Sequence, residues 1–227
     1  MKKLARAAGV DIRVIPEIGF DAFLDMRKLA ATDAPLVVDA GANRGQSIER
    51  FRRGFARPVI HAFEPGRETF AELQRRCATL PGVQFNNVAL GSRPGSRTFL
   101  HNRSDEMSSF LQPSSDAWGE VSSRYPVEVT TVDDYCASRG IERITILKSD
   151  TQGFDLEVLK GAERMFSRRA VDLVFTEIIF SEMYEGAPRF DEIYAFLADR
   201  GFALVSFYDF YYQGGRAGWA DALFTAG

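Results

Sequence analysis

From residue 36 onward short apolar runs alternate with segments of helical period, and this alternation restricts the fold more than any other feature of the chain. Residues 36–38, 59–63, 83–90, 144–147, 171–175 and 202–207 read as buried strands. Between them the spacing predicts helices over residues 46–53, 67–78, 154–166 and 190–200, the last stopped by Gly201. Parallel strands need a long crossover, and helices that cover the sheet on both faces supply it. The expected fold is therefore α/β, a doubly wound and mostly parallel sheet. The final run, residues 220–225, is expected to return as an antiparallel strand.

Two regions stand outside this rhythm. Residues 20–31 place Phe20, Phe23, Leu24 and Leu29 near helical spacing, before Thr32-Asp33-Ala34-Pro35 ends the segment. An N-terminal helical extension over residues 1–33 is thus expected ahead of one large domain over residues 34–227. Residues 91–133 predict a turn at 91–95, a short strand at 97–101 and a long polar loop at 102–125. Loops of that length in compact domains usually have a function, which makes this one a candidate lid or substrate loop.

Charge and cysteine content narrow the function classes. A net charge of −3 offers no global attraction to nucleic acid or acidic membranes, and neither is expected as a partner. Arg50, Arg52, Arg53 and Arg57 read as a solvated helix face. Cys77 and Cys136 are too few for a disulfide framework or a zinc site. The basic start Met1-Lys2-Lys3 is followed by no apolar core of a signal, and no run approaches the ~20 apolar residues of a membrane span, so a cytoplasmic location is expected.

The first chemical motif is Val38-Asp39-Ala40-Gly41-Ala42-Asn43-Arg44-Gly45, where the first strand meets the first crossover helix. Gly41 and Gly45 allow a tight turn and a close backbone approach to a ligand. Asp39 ends the strand and Asn43 stands where a dinucleotide loop has its middle glycine. A carboxylate there repels pyrophosphate but suits the ammonium of S-adenosylmethionine, so this donor is favoured over a nicotinamide cofactor. Glu64 ends the second strand at the spacing from which an acidic side chain accepts from ribose hydroxyls.

With these residues in view the chain resembles the FkbM family of methyltransferases. The resemblance rests on the glycine loop, Phe63-Glu64-Pro65, Asn87-Val88-Ala89-Leu90-Gly91, Thr130-Thr131-Val132-Asp133 and Leu147-Lys148-Ser149-Asp150-Thr151-Gln152-Gly153-Phe154-Asp155. It implies a class I, Rossmann-like methyltransferase fold and methyl transfer mostly to oxygen, on sugars, glycan components or natural products. It also implies that Asp39, Gly41, Asn43 and Gly45, with Ala42 in the same loop, hold the donor's amino-acid end. Glu64 would bind the ribose, and Asn87, Val88 and Ala89 would lie along the adenine. The chain departs from the family pattern at Ser149, where an apolar residue is usual, and at Asp155, which replaces a glutamate.

Ligands of open α/β sheets bind beyond the carboxyl ends of the strands. Asp150 and Glu177 end neighbouring central strands and should face one crevice. Either could take the proton of an attacking hydroxyl, with Asp150 the first candidate and Glu177 the second. Asp150 could instead cap the next helix, which is compatible with its also contacting the cofactor, or the two carboxylates could share magnesium; no metal is assigned. His61, mid-strand, reads as a core histidine, whereas His101 opens the long loop and is a third candidate base. Residues 107–110 could close over the donor, and the aromatic run at 207–212 could floor a sugar cleft. The expected activity is O-methylation of a small-molecule or glycan hydroxyl; the alternatives are a nicotinamide-dependent oxidoreductase and a non-catalytic nucleoside-binding module.

Overall fold

The computed structural model describes residues 17–227. Its helices are α1 (Ala22–Ala30), α2 (Gln46–Gly54), α3 (Arg67–Cys77), α4 (Val132–Arg139), α5 (Asp155–Lys160), α6 (Glu163–Ser167) and α7 (Phe190–Ala198). Its strands are β1 (Leu36–Ala40), β2 (Val59–Phe63), β3 (Val83–Asn86), β4 (Ala89–Leu90), β5 (Gly95–Asn102), β6 (Val121–Thr130), β7 (Ile144–Ser149), β8 (Val171–Ile179), β9 (Phe202–Gln213) and β10 (Arg216–Ala226). A seven-stranded sheet runs in the order β3-β2-β1-β7-β8-β10-β9. The first five strands in that order are parallel, and β10 lies antiparallel to both β8 and β9. The chain winds outward in opposite directions from β1 and β7, so a crevice opens where their carboxyl ends meet.

The apolar runs are continuous because this sheet is covered on both faces. Neighbouring residues of β7 go to opposite cores: Leu147 packs with Val38, Val174 and Phe224, while Ile146 packs with Val37, Ile60 and Leu173. All are essentially inaccessible, and truncating one such side chain to Ala costs about 2–5 kcal/mol. Helix α1 belongs to the second core. It starts at Asp21, whose carboxylate accepts from the Phe23 and Leu24 amides, and it buries Phe23 against Phe51 and Phe175. The N-terminal extension expected for residues 1–33 therefore meets the domain directly where it is described; the basic start lies outside the described residues.

Four local expectations change. The run 83–90 is two strands, because the Asn87 amide donates to the carbonyls of Glu64 (2.8 Å) and Pro65 (3.3 Å) and so ends the pairing with β2. Strand β4 instead joins β6 and β5 in a separate three-stranded sheet. The helix expected over 154–166 is split into α5 and α6 at Gly161, where a side chain would stand 2.1 Å from the Gly91 carbonyl oxygen. The polar loop is shorter than expected, since β6 begins at Val121 and residues 105–107 form a 3-10 turn. Strand β9 continues to Gln213, which puts the aromatic run 207–212 within a strand. Among the described residues no helix is long and apolar enough to cross a membrane.

Candidate active site

The crevice holds three adjoining cavities, and Asp150 and Glu106 line all of them. The first is a cleft bounded by Gly41, Asn43, Glu64, Ala89, Phe110 and Phe154. Glu64 is 6% exposed; its two oxygens accept from the amides of Asn43 (3.0 Å) and Gly66 (2.8 Å). Burial raises its pKa to about 7, against the opposing pull of those two amides. Ala89 and Leu90 form one apolar wall and the packed rings of Phe110 and Phe154, 4.8 Å apart, form another. Arg44 donates to Asp105 at 2.8 Å, which ties the glycine loop to the long loop beside the cleft.

The glycine loop lines both the cleft and the cavity beside it. Its glycines make room for the protein itself: a side chain at Gly41 (φ +75°) would stand 1.9 Å from the Asp150 carbonyl oxygen. One at Gly45 (φ +93°) would stand 2.5 Å from Cys77 Sγ. The loop amides are also engaged internally. Those of Gly41 and Ala42 donate to the Phe63 carbonyl, and that of Gly45 donates to the Ala42 carbonyl. Asp39, fully buried, does not line the cleft; it accepts from Ser47 Oγ and pairs with Lys148 Nζ at 2.9 Å. Burial alone would lower the Lys148 pKa, but the carboxylates of Asp39 and Asp150 hold the ammonium well above its usual range. Lys148 and Arg50 line the second cavity, about 200 Å³, together with Ala42 and Asp150.

Asp150 sits on the tip of β7, its amide still donating to the Ala40 carbonyl of β1 at 3.0 Å. Its side chain is 41% exposed, and Lys148 Nζ lies 3.9 Å away. It is not the helix cap: Asp155 accepts from Ser149 Oγ (2.6 Å) and from the Thr151 amide and hydroxyl (3.0 Å each), and so fixes the turn itself. The two departures from the family pattern, Ser149 and Asp155, are thus hydrogen-bonded partners. Gln152 Nε2 donates to Asp150 Oδ1 and Glu177 Oε2, both at 3.1 Å, and Gln152 Oε1 accepts from Tyr184 Oη at 2.8 Å. Glu177 is 7% exposed; burial first, and then Asp150, Asp155 and Asp221, push its pKa well above the carboxylate range.

The remaining residues singled out in the sequence separate into those at the crevice and those behind it. Ala89 borders the cleft, whereas Asn87 pins the backbone of Glu64 and Pro65, and Val88 packs into the core. His61 is a core residue, hydrogen-bonded through Nδ1 to Tyr135 Oη at 2.8 Å. His101 lies in β5, 3.6 Å from Glu68, and lines none of the three cavities. Ser108 and Phe110 of the long loop do reach the cleft. Sequence reasoning missed Gln152, Tyr184, Trp118, Trp219 and Asp221. Gln152 stood inside a recognised motif; the others come from segments that only the folded chain brings together.

A family model described as the methyltransferase FkbM domain matches residues 39–204. The 2-O-methyltransferase NoeI of Sinorhizobium fredii (strain NBRC 101917 / NGR234) is 26% identical over 163 residues, covering 67% of this chain and 66% of the relative. Methyltransferase sdnD of Sordaria araneosa is 26% identical over 240 residues, covering 93% of this chain and 86% of the relative. An rRNA methylase structure from Streptococcus thermophilus shares the fold, with a TM-score of 0.50 and 13% identity over 90% of this chain and 92% of that one.

Proposed function

We propose, for a chain that belongs to the FkbM methyltransferase family, that it methylates a hydroxyl group with Asp150 as the general base. The cofactor is S-adenosylmethionine. The residues present fit it, since a buried carboxylate stands at the end of β2 beside an apolar slot, and cationic side chains line the adjoining cavity. In this reading Glu64 accepts from the ribose hydroxyls and Ala89, Leu90 and Phe110 cradle the adenine. Lys148 and Arg50, which line the second cavity beside the glycine loop, answer the methionyl carboxylate. Asp39 acts through Lys148, holding it charged and in place.

When bound, the donor would supply an activated methyl group on a sulfonium sulfur, with a neutral thioether as the leaving group for transfer to the acceptor oxygen. The protein's work is alignment and the disposal of one proton. The observation that carries the assignment is position: Asp150 borders both the donor cleft and the cavity of about 380 Å³ beyond it, which Glu177 also lines. Asp150 takes the hydroxyl proton, and Gln152, steadied by Tyr184, fixes its carboxylate. A second reading, with Glu177 as the base, is favoured by its burial, because a base of raised pKa has more affinity for the proton.

Incubating the protein with methyl-labelled donor and a panel of alcohols, amines and thiols tests the reaction class. The product's methyl carbon resonance distinguishes an ether from an N-methyl or thioether product. An ether is expected, and an N-methyl product would replace the hydroxyl reading while leaving the donor assignment intact.

A further inference from the structure

Resting on the hydroxyl-transfer reading above, we propose that the acceptor carries an ammonium group, and that the cavity beyond Asp150 recognises a hydroxylated organic cation such as an amino sugar. Three observations converge. Five carboxylates line this cavity (Glu106, Asp150, Glu177, Asp209 and Asp221), and among the described residues no Lys or Arg does. Lys148 lies near Asp150 and Arg50 near Asp209, both at 3.9 Å. Among the described residues no cation pairs with Glu177 or Asp221. Among the described residues no donor reaches Glu177 Oε1 or either oxygen of Asp221, although Glu177 is 7% exposed.

The second observation is register. Asp221 of β10 is the direct cross-strand partner of Glu177 of β8. Like charges at opposed positions destabilise a sheet, so this pair needs a proton or a bound cation to offset it. Asp221 already has its pKa raised to about 7, by burial first and by Asp150 next.

The third is the aromatic wall. Tyr211 stacks on Trp219 at 4.9 Å with planes 11° apart, and the ring of Trp118 of the long loop lies 5.3 Å from that of Trp219. Aromatic faces attract cations and pack against the carbon faces of sugars. Among the described residues no three His, Cys, Asp or Glu groups are placed to hold a metal ion. The carboxyl groups are spread over the cavity, an arrangement that an extended organic cation would hold in the ionised form. Held as an ammonium, the acceptor's nitrogen has its lone pair occupied by a proton, and the hydroxyl is left as the nucleophile.

The chain has two tryptophans, Trp118 and Trp219, and both line this cavity, so intrinsic fluorescence reports on its occupancy. The test titrates protein saturated with S-adenosylhomocysteine with glucosamine and with glucose, which differ by an ammonium in place of a hydroxyl. Glucosamine should bind about tenfold more tightly, and this preference should shrink to about twofold in Asp221→Asn. Equal affinities, tighter binding of glucose, or no response to either sugar would overturn the proposal. Calorimetry with S-adenosylhomocysteine on the same samples separates the two readings, and also controls for folding of the variant. If it binds and the cation preference is absent, only this proposal fails; if it does not bind, the donor-site reading fails.

Discussion

Asp150 and Glu177 share one hydrogen-bond donor: the Gln152 amide nitrogen lies 3.1 Å from a carboxylate oxygen of each. A neutral amide between two carboxylates fixes both in place without neutralising either. This lets one take up a proton while the other remains a charged partner for a ligand.

Asp150→Asn retains the size and the contact with Gln152 but removes the proton acceptor. Turnover should fall by about 10²–10⁴-fold, while the donor's dissociation constant stays within about threefold. Single-turnover rates together with calorimetry check both parts. Normal turnover in Asp150→Asn with a loss in Glu177→Gln would transfer the role to Glu177.

Glu64 gives a pH dependence with a definite sign. Its pKa in the free protein is about 7, and only the ionised form has full acceptor strength for two ribose hydroxyls. Donor binding should release a proton and tighten as pH rises from about 6 to about 8. In Glu64→Gln the affinity should be lower and flat over that range. A wild-type affinity independent of pH would remove Glu64 from the ribose.

Asp221→Asn should stabilise the free protein. The raised pKa means that folding favours the protonated carboxyl: its contribution is complete below the unfolded value of 3.8 and is lost as pH rises through about 7. At about pH 8 the variant should gain at least the ~0.2–1 kcal/mol assigned to a like-charged cross-strand pair, and at about pH 4 the gain should vanish. Urea unfolding at the two pH values checks this.

Gly41→Ala should destabilise the fold by about 1–3 kcal/mol, because the new carbon would meet the Asp150 carbonyl at 1.9 Å and the backbone is at positive φ. Donor affinity should fall with it, since the collision moves Asp150 and the loop together. An unfolding midpoint equal to wild type would show that β1 and β7 separate there at little cost.

Much of this was legible in the sequence, for stated physical reasons. A parallel sheet covered on both faces leaves unbroken apolar runs, and β1, β2, β7 and β8 were read from them. Positions just past strand ends placed Glu64 and Asp150 at the crevice; Glu177, also read as a strand end, lies inside β8, which continues to Ile179, yet it faces the same crevice. The failures arose where long-range contacts overrule local pattern. Asn87 looked like part of a strand until its amide met the carbonyls of Glu64 and Pro65. Gly161 looked helical until Gly91 came within reach. The pairing of Asp39 with Lys148 of the neighbouring strand was likewise not readable from local pattern. The cavity beyond Asp150 was the least readable part. It joins Trp118 of the long loop to Tyr211 and Trp219 near the chain's end, and no local pattern records that meeting.

The most direct test of the account is a crystal structure with S-adenosylhomocysteine bound. It should show the ribose hydroxyls on Glu64, the purine between Ala89 and Phe110, and the sulfur beside Asp150, facing the cavity that holds Glu177 and Trp219. A ribose away from Glu64, or a sulfur turned from Asp150 so that a transferred methyl could not enter that cavity, would contradict it.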